Sequence, residues 1–164
     1  MTLKPNPGGM WQRAFVNGVD HLWTFTPDGI RLIHDAGTGL LLYGCRDWTD
    51  LNVAADVTPH LAKRVGVCAR VQGMRRYYAL VVQPGRAAIV RECEGTTTLA
   101  EMPFDMRFYE TYDLALTVEG NRLIGSIGGE QVLEASDDVL TDGGVALLVE
   151  EGRTATKTVT LSAP

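Results

Sequence analysis

Short segments in which apolar and polar residues alternate are the strongest constraint on how this chain folds. The clearest is 51–58, where Leu51, Val53, Ala55 and Val57 are separated by polar or small residues. Segments 65–71 and 113–118 alternate in the same way. Alternate side chains of a strand point to opposite faces, so this period predicts half-buried β-strands rather than helices.

Turn-forming residues separate these segments. Gly and Asn adopt the backbone angles of tight hairpins, and Pro presets one of them. No long stretch repeats apolar residues at helical spacing, although 59–62 could form one helical turn. The chain therefore predicts an all-β fold, an antiparallel two-sheet sandwich. Its expected strands are 22–26, 29–34, 39–44, 50–58, 64–72, 75–83, 86–93, 96–102, 111–119, 121–127, 130–135, 143–150 and 154–162.

The length of 164 residues suits a single domain. The first 20 residues contain three glycines and two prolines and show no periodicity. We expect residues 1–20 to be a lead-in or linker and residues 21–164 to form the sandwich domain.

Charge and cysteine content exclude several function classes. Fifteen Lys and Arg against twenty Asp and Glu give a net charge of −5. This balance argues against a nucleic-acid partner and against an anionic membrane surface. Three cysteines without a C-x-x-C spacing argue against a disulfide framework and against zinc. The N-terminus lacks the apolar stretch of a signal peptide, so we expect a cytoplasmic protein.

An ordered series of segments resembles a known fold family. The series is TGLLLYG at 38–44, DWTDLNVAADVTP at 47–59, GVCARVQGMRRYYALVV at 66–82, YDLALTVEGNRLIGSIGGEQVLEA at 112–135 and GGVALLVEEGRTATKTVTL at 143–161. It resembles the concanavalin A-like lectin/glucanase jelly roll, in the branch of small lectin-like modules associated with glycanases. The resemblance implies a jelly-roll sandwich over nearly the whole chain.

More narrowly, the chain is similar to the C-terminal accessory domain of some bacterial ADP-ribosylglycohydrolase-family proteins. That similarity implies either an accessory module whose partner is an attached or separate glycohydrolase domain, or a free-standing relative of such modules.

Polar residues on consecutive expected strands suggest a ligand site. Asn52 and Asp56 share one face of a strand, and Arg70 and Tyr77 lie on the next two strands. Sugar sites need planar hydrogen-bonding groups and an aromatic face. We therefore expect Asn52, Asp56, Arg70 and Tyr77 to bind ligand. The alternative is a cross-strand ion pair between Asp56 and Arg70 with no ligand.

Other candidate features are weaker. Trp48 stands in a polar loop, either as a rim aromatic for stacking or as a plug that closes the sandwich. An acidic loop with Asp137, Asp138 and Asp142 suits structural calcium, although a plain exposed loop is the simpler interpretation. The E-x-D-x-x-E pattern of hydrolases with this fold is missing, and the nearest carboxylate pair, Glu92 with Glu94, lies at a turn.

These features favour a non-catalytic module that binds a carbohydrate or a nucleotide-sugar such as ADP-ribose, and no catalytic residue or cofactor is expected. The first alternative is a structural domain that packs on a catalytic domain or a second copy. A glycoside hydrolase of the same fold is the third and least favoured function, because it needs a pair of carboxylates and the sequence lacks the E-x-D-x-x-E pattern.

Overall fold

A computed structural model describes residues 1–3, 16–25 and 29–164. The described residues form thirteen strands and no helix, and therefore no helix able to span a membrane. The strands are β1 (Thr2–Leu3), β2 (Val16–Gly18), β3 (His21–Phe25), β4 (Gly29–Tyr43), β5 (Leu51–His60), β6 (Arg64–Gly73), β7 (Arg76–Cys93), β8 (Thr96–Asp105), β9 (Tyr112–Glu119), β10 (Arg122–Ile127), β11 (Glu130–Ser136), β12 (Gly144–Thr156) and β13 (Val159–Ser162).

The strands form two antiparallel layers. Sheet A has the order β1-β13-β5-β9-β10-β11. In sheet B, β2 and β3 pair with β4, and the order continues β4-β12-β6-β7-β8. The far end of β12 also pairs with β5, so this strand joins the two layers at one end of the sandwich.

Strand β7 doubles back on itself at Pro84 and Gly85. Its first part pairs with β6 and its second part with β8. The two ends lie side by side, since the Glu94 N–H donates to the Arg75 carbonyl. Gly85 has a φ of +89°, a conformation that glycine adopts without steric cost. The two segments expected at 75–83 and 86–93 are therefore the arms of one hairpin.

The core lies between the inner faces of the two sheets. Val53 and Val57 of β5 and Leu116 of β9 come from sheet A, and Val67 and Leu80 come from sheet B. All five side chains are buried. The residues that alternate in the sequence are thus the ones that fill the core, and their burial supplies the main favourable free energy of folding.

A bulge interrupts β6 beside its turn to β7. The pairing register shifts between Ala69 and Gly73, and Arg70 has a φ of +49°. A bulge increases local twist and bends the strand. The Met74 side chain, in the turn after this bulge, lies against Gly18 of β2 so closely that a Cβ there would overlap the Met74 Sδ atom. In a flat sheet, β2 and β6 would stand about 14 Å apart, so sheet B curls toward its outer side.

The predicted two-sheet jelly-roll sandwich is confirmed. Several strand boundaries differ from those expected. The expected segments 29–34 and 39–44, for example, join through a bulge into the single strand β4. Residues 59 and 60 extend β5 instead of starting a helical turn. Within the expected lead-in, β1 and β2 each pair with a sheet, while residues 4–15 lie outside the described residues. The domain boundary at residue 20 remains a prediction.

Two glycines of β6 give a matched test of this packing. A Cβ on Gly66 would overlap the Leu80 carbonyl oxygen of the paired strand, whereas a Cβ on Gly73 meets nothing within 4 Å. We expect Gly66→Ala to lower the free energy of unfolding by about 1–3 kcal/mol through overpacking. Gly73→Ala should change it by less than about 0.5 kcal/mol. Urea unfolding monitored by tryptophan fluorescence measures both, and equal effects would contradict the close approach at Gly66.

Candidate functional site

The structure separates the four residues that the sequence suggested as one site. Asn52 and Asp56 lie on the outer face of sheet A. Arg70 and Tyr77 belong to sheet B, and Tyr77 lies on the outer face of that sheet. Strands β5 and β6 follow each other in sequence but do not pair. The expectation of one shared face is therefore wrong, because the chain passes from one layer to the other between them.

Asn52 and Asp56 bind neighbouring parts of the protein. The Asn52 side chain accepts a hydrogen bond from the Thr117 hydroxyl at 3.0 Å and donates one to Ser162 at 3.4 Å. The Asp56 carboxylate accepts the backbone N–H groups of Lys157 and Thr158 at 3.0 and 2.6 Å. Asp56 thus holds the β12–β13 turn and makes no ion pair with Arg70.

Arg70 is a buried structural residue at one end of the sandwich. It is 2% exposed, and its guanidinium donates to the Thr49 carbonyl at 2.9 Å and the Leu140 carbonyl at 3.0 Å. A third bond, 3.2 Å long, reaches the Asp50 carboxylate. The bulge at Arg70 changes the alternation of β6 and turns this side chain inward. Arg70 is therefore not placed to contact a ligand, contrary to the sequence-based expectation.

Tyr77 is buried on the outer face of sheet B, among small apolar side chains that include Cys68, Ala79 and Val90. Burial raises the pKa of its phenol. At 1% exposure its ring offers no open surface for stacking. The expected stacking role of Tyr77 is consequently not supported by its position.

An open pocket lies beside the loop that precedes β5. Its volume is about 570 Å³. Trp48, half-buried, packs on Gly44 and meets the Tyr43 ring at a centroid distance of 5.9 Å. Trp48 therefore closes the end of the core and also borders the pocket. The lining residues are Met1, Asp47, Trp48, Thr49, Asp50, Leu51, Leu161, Ser162 and Ala163. We call this the Trp48 pocket.

The Trp48 pocket has a fixed acidic group. Asp50 accepts hydrogen bonds from the buried Arg70 guanidinium and from the Gly120 N–H at 2.9 Å. Its side chain remains 46% exposed, so one side of the carboxylate faces solvent. Asp47, the second acid, is exposed. Two carboxylates beside an indole ring suit hydroxyl-rich ligands, because carboxylates accept hydroxyl hydrogen bonds.

Sequence reasoning found Trp48 but missed Asp47, Asp50 and Ser162. The signal for the first two was the polar run Asp47-Trp48-Thr49-Asp50 directly before a strand. Ser162 comes from the far end of the chain and meets this loop only through the pairing of β13 with β5. Arg70 and Asn52 lie behind the pocket, where they hold Asp50 and Ser162.

The acidic loop after β11 is held by protein donors. The Tyr78 hydroxyl donates to Asp137 at 2.5 Å, and the Arg91 guanidinium forms an ion pair with the same carboxylate. Tyr78 also accepts the Leu140 N–H at 3.0 Å. Asp142 accepts a hydrogen bond from Gln72. Among the described residues, no group of acidic, histidine or cysteine side chains has the arrangement of a metal site.

Another groove, of about 410 Å³, lies on the outer face of sheet A. Asp56 and Asp113 face each other across β5 and β9 at its border. Because the Asp56 carboxylate already accepts two backbone N–H groups of the β12–β13 turn, it has less capacity to bind a ligand in this groove. The Glu92 carboxylate is likewise occupied by hydrogen bonds within its own turn, since it accepts the Gly95 N–H and the Thr96 hydroxyl.

The architecture defines the protein as a jelly roll of the galectin and concanavalin A-like type. Similar solved structures include the carbohydrate-binding module CBM66 from Bacillus subtilis. That structure is 18% identical with a TM-score of 0.83, and the match covers 92% of this chain and 96% of that one.

A galectin-like protein of unknown function from Bacillus subtilis is 13% identical, with a TM-score of 0.62 and coverages of 91% and 88%. The β-glucanase of Bacillus licheniformis is 9% identical, with a TM-score of 0.62 and coverages of 87% and 82%. No family model and no curated protein sequence matches the chain. These TM-scores show that the fold is shared, and at such low sequence identities they show the fold alone.

Replacing Arg70 tests its structural role. Arg70→Met leaves two carbonyls and the Asp50 carboxylate without their donor, so we expect the free energy of unfolding to fall by about 3 kcal/mol. Arg75→Met, at an exposed position in the neighbouring turn, should change it by less than about 0.5 kcal/mol. Urea unfolding compares the two. A similar small effect at both positions would contradict the anchoring role of Arg70.

Tyr78 makes the free energy of unfolding depend on pH in the alkaline range. Burial and the hydrogen bond to Asp137 raise the pKa of Tyr78 to about 12, from an ordinary value of 10.0. Between these values the unfolded chain loses the proton and the folded protein keeps it, so stability falls as pH rises. We expect the urea midpoint to drop less between pH 9.5 and pH 11.5 in Tyr78→Phe than in the parent. Parallel curves would show that Tyr78 ionises normally.

Proposed function

We propose that this protein is a non-catalytic carbohydrate-binding module whose ligand occupies the Trp48 pocket. The observation that carries the proposal is the combination of an indole ring, a fixed carboxylate and an open volume of about 570 Å³ in one place. Similarity in fold to the CBM66 module supports it. Fold alone does not decide function, so the argument rests on the pocket.

The pocket chemistry matches what a sugar ring offers. The apolar face of a sugar packs on an aromatic ring, and its hydroxyls donate to carboxylates. In this protein Trp48 provides the ring, while Asp50 and Asp47 provide the acceptors. Because Arg70 and Gly120 hold Asp50, that acceptor is preorganised, and preorganisation lowers the entropic cost of binding.

Charge narrows the ligand class. The charged side chains that line the Trp48 pocket are Asp47 and Asp50, both acidic. Asp50 is already paired with Arg70, so the exposed Asp47 carboxylate is the charge that disfavours a diphosphate there. We therefore place a neutral sugar ahead of a nucleotide-sugar such as ADP-ribose. The latter needs cationic partners, and Arg70 is already committed within the fold.

We further propose that the module acts beside a separate catalytic domain, a glycohydrolase. The carboxylate pair that the sequence offered, Glu92 with Glu94, lies at a turn, and Glu92 binds that turn. A module of this kind contributes by holding a glycan near the active site of its partner, which raises the effective concentration of substrate.

A thermal-shift screen with Asp47 and Trp48 variants tests the pocket. The panel holds neutral mono- and oligosaccharides, ADP-ribose, and calcium with and without chelator. A bound ligand at one hundred times its Kd stabilises the fold by about 2.7 kcal/mol, which raises the Tm by several degrees. We expect a neutral sugar to raise the parent Tm, and Trp48→Ala and Asp47→Asn to lose that rise.

The control variants distinguish a loss of ligand binding from a loss of protein stability. Trp48 also packs against the core, so Trp48→Ala is compared with Asp47→Asn, which replaces an exposed side chain. Asp138→Asn, an exposed acid in a different loop, should keep the full shift. A shift with ADP-ribose alone would move the ligand class to nucleotide-sugars. A flat panel would overturn the binding module and favour the structural domain.

A further inference from the structure

A second exposed aromatic surface lies at the other end of β5 from the Trp48 pocket. Tyr109, in the connection between β8 and β9, is 65% exposed. Its ring meets His60 edge-on at a centroid distance of 5.1 Å, and its N–H donates to the Pro59 carbonyl at 2.8 Å. The ring is therefore held against the end of β5 rather than free in a loop.

The backbone at this surface is strained. Tyr109 has a φ of +67°, and Leu61, which is 57% exposed, has a φ of +58°. Bulky residues with positive φ are rare, and such strain tends to persist where it serves a function. The Leu61 turn packs on Gly152, where a Cβ would overlap the Leu61 carbonyl oxygen. The fold thus keeps two large apolar side chains in solvent at a conformational cost.

An exposed cation stands beside the aromatic pair. Arg153 of β12 faces His60 directly across the antiparallel pairing with β5, so the two side chains share one face of the sheet. Among the described residues, no carboxylate lies within ion-pair distance of Arg153. In contrast, Arg86, Arg107 and Arg122 each have such a partner.

Arg153 lies close enough to His60 to affect its ionisation. Burial lowers the pKa of His60, and the nearby Arg31 and Arg153 guanidinium groups lower it further. The imidazole is therefore neutral near pH 7, and Arg153 supplies an exposed positive charge beside it. An exposed guanidinium with no described carboxylate in ion-pair range favours an anionic ligand.

We propose that Tyr109 and Arg153 form a binding site for an acidic sugar residue. The sugar ring packs on the exposed face of Tyr109, and its carboxylate pairs with the Arg153 guanidinium, which suits carboxylates through its planar fork of donors. This site goes beyond the Trp48 pocket. The ends of β5 stand about 30 Å apart, so the two sites bind independently.

Affinity electrophoresis in native gels tests this site. The gels contain polygalacturonate, its fully methyl-esterified and uncharged form, or no polymer. We expect polygalacturonate to retard the parent protein more than the esterified form does, and added salt to weaken the retardation because salt screens exposed charges. Tyr109→Asn and Arg153→Ala should each weaken binding about tenfold, as expected for one lost aromatic or charge-assisted contact. Asparagine tolerates the positive φ, so Tyr109→Asn removes the ring with little added strain.

Two control variants make the outcome decisive. Arg75→Ala removes an exposed cation from a different turn and should leave retardation unchanged. Asp47→Asn alters the Trp48 pocket alone, so it should spare the acidic polymer and affect only the neutral sugars of the thermal-shift panel. Equal retardation by the esterified polymer, or unchanged retardation of both Tyr109→Asn and Arg153→Ala, would overturn the proposal. A parallel sedimentation assay measures binding to phosphatidylserine vesicles. If the protein binds these vesicles but polygalacturonate does not retard it, the acidic-sugar proposal is overturned.

Discussion

The hydrogen bonds of one buried arginine hold the functional end of this sandwich together. Arg70 reaches Thr49, Asp50 and Leu140, which come from two loops on either side of it in sequence. Without a donor at this point, the Leu140 carbonyl would be left unsatisfied in the interior, which is costly, and the Thr49 carbonyl and the Asp50 carboxylate would lose the group that they share. The loop that carries Trp48 and the loop that follows β11 therefore have fixed positions because they share this guanidinium.

Periodicity predicted the strands well because burial of one sheet face imposes a period of two. Segments such as 51–58 place their apolar residues in the core as expected. The same argument failed at Arg70, since a bulge shifts the alternation by one residue and leaves no mark in composition. Periodicity also could not tell whether the outer face of sheet B is exposed to solvent, so Tyr77 was expected to be exposed there and is buried.

The candidate pocket could be predicted only in part. Trp48 in a polar loop is a visible signal, and the neighbouring Asp50 belongs to the same run of residues. Ser162 could not be predicted as a neighbour, because it reaches the pocket only through the register of β13 on β5. The proposed site at Tyr109 and Arg153 also could not be predicted from the sequence. Its partner Arg153 lies on the part of β12 that pairs with β5, a contact that no local pattern encodes.

Strand β12 has a consequence for how the chain folds. It lies between β4 and β6 and also pairs with β5, yet it spans residues 144–156 near the C-terminal end of the sequence. During synthesis, β4, which ends at Tyr43, and β6, which ends at Gly73, each keep one unpaired edge until residues 144–156 have been made, and open edges promote aggregation. Truncations that remove β12 should be far more harmful than their length suggests, because they split sheet B in the middle rather than trim its edge.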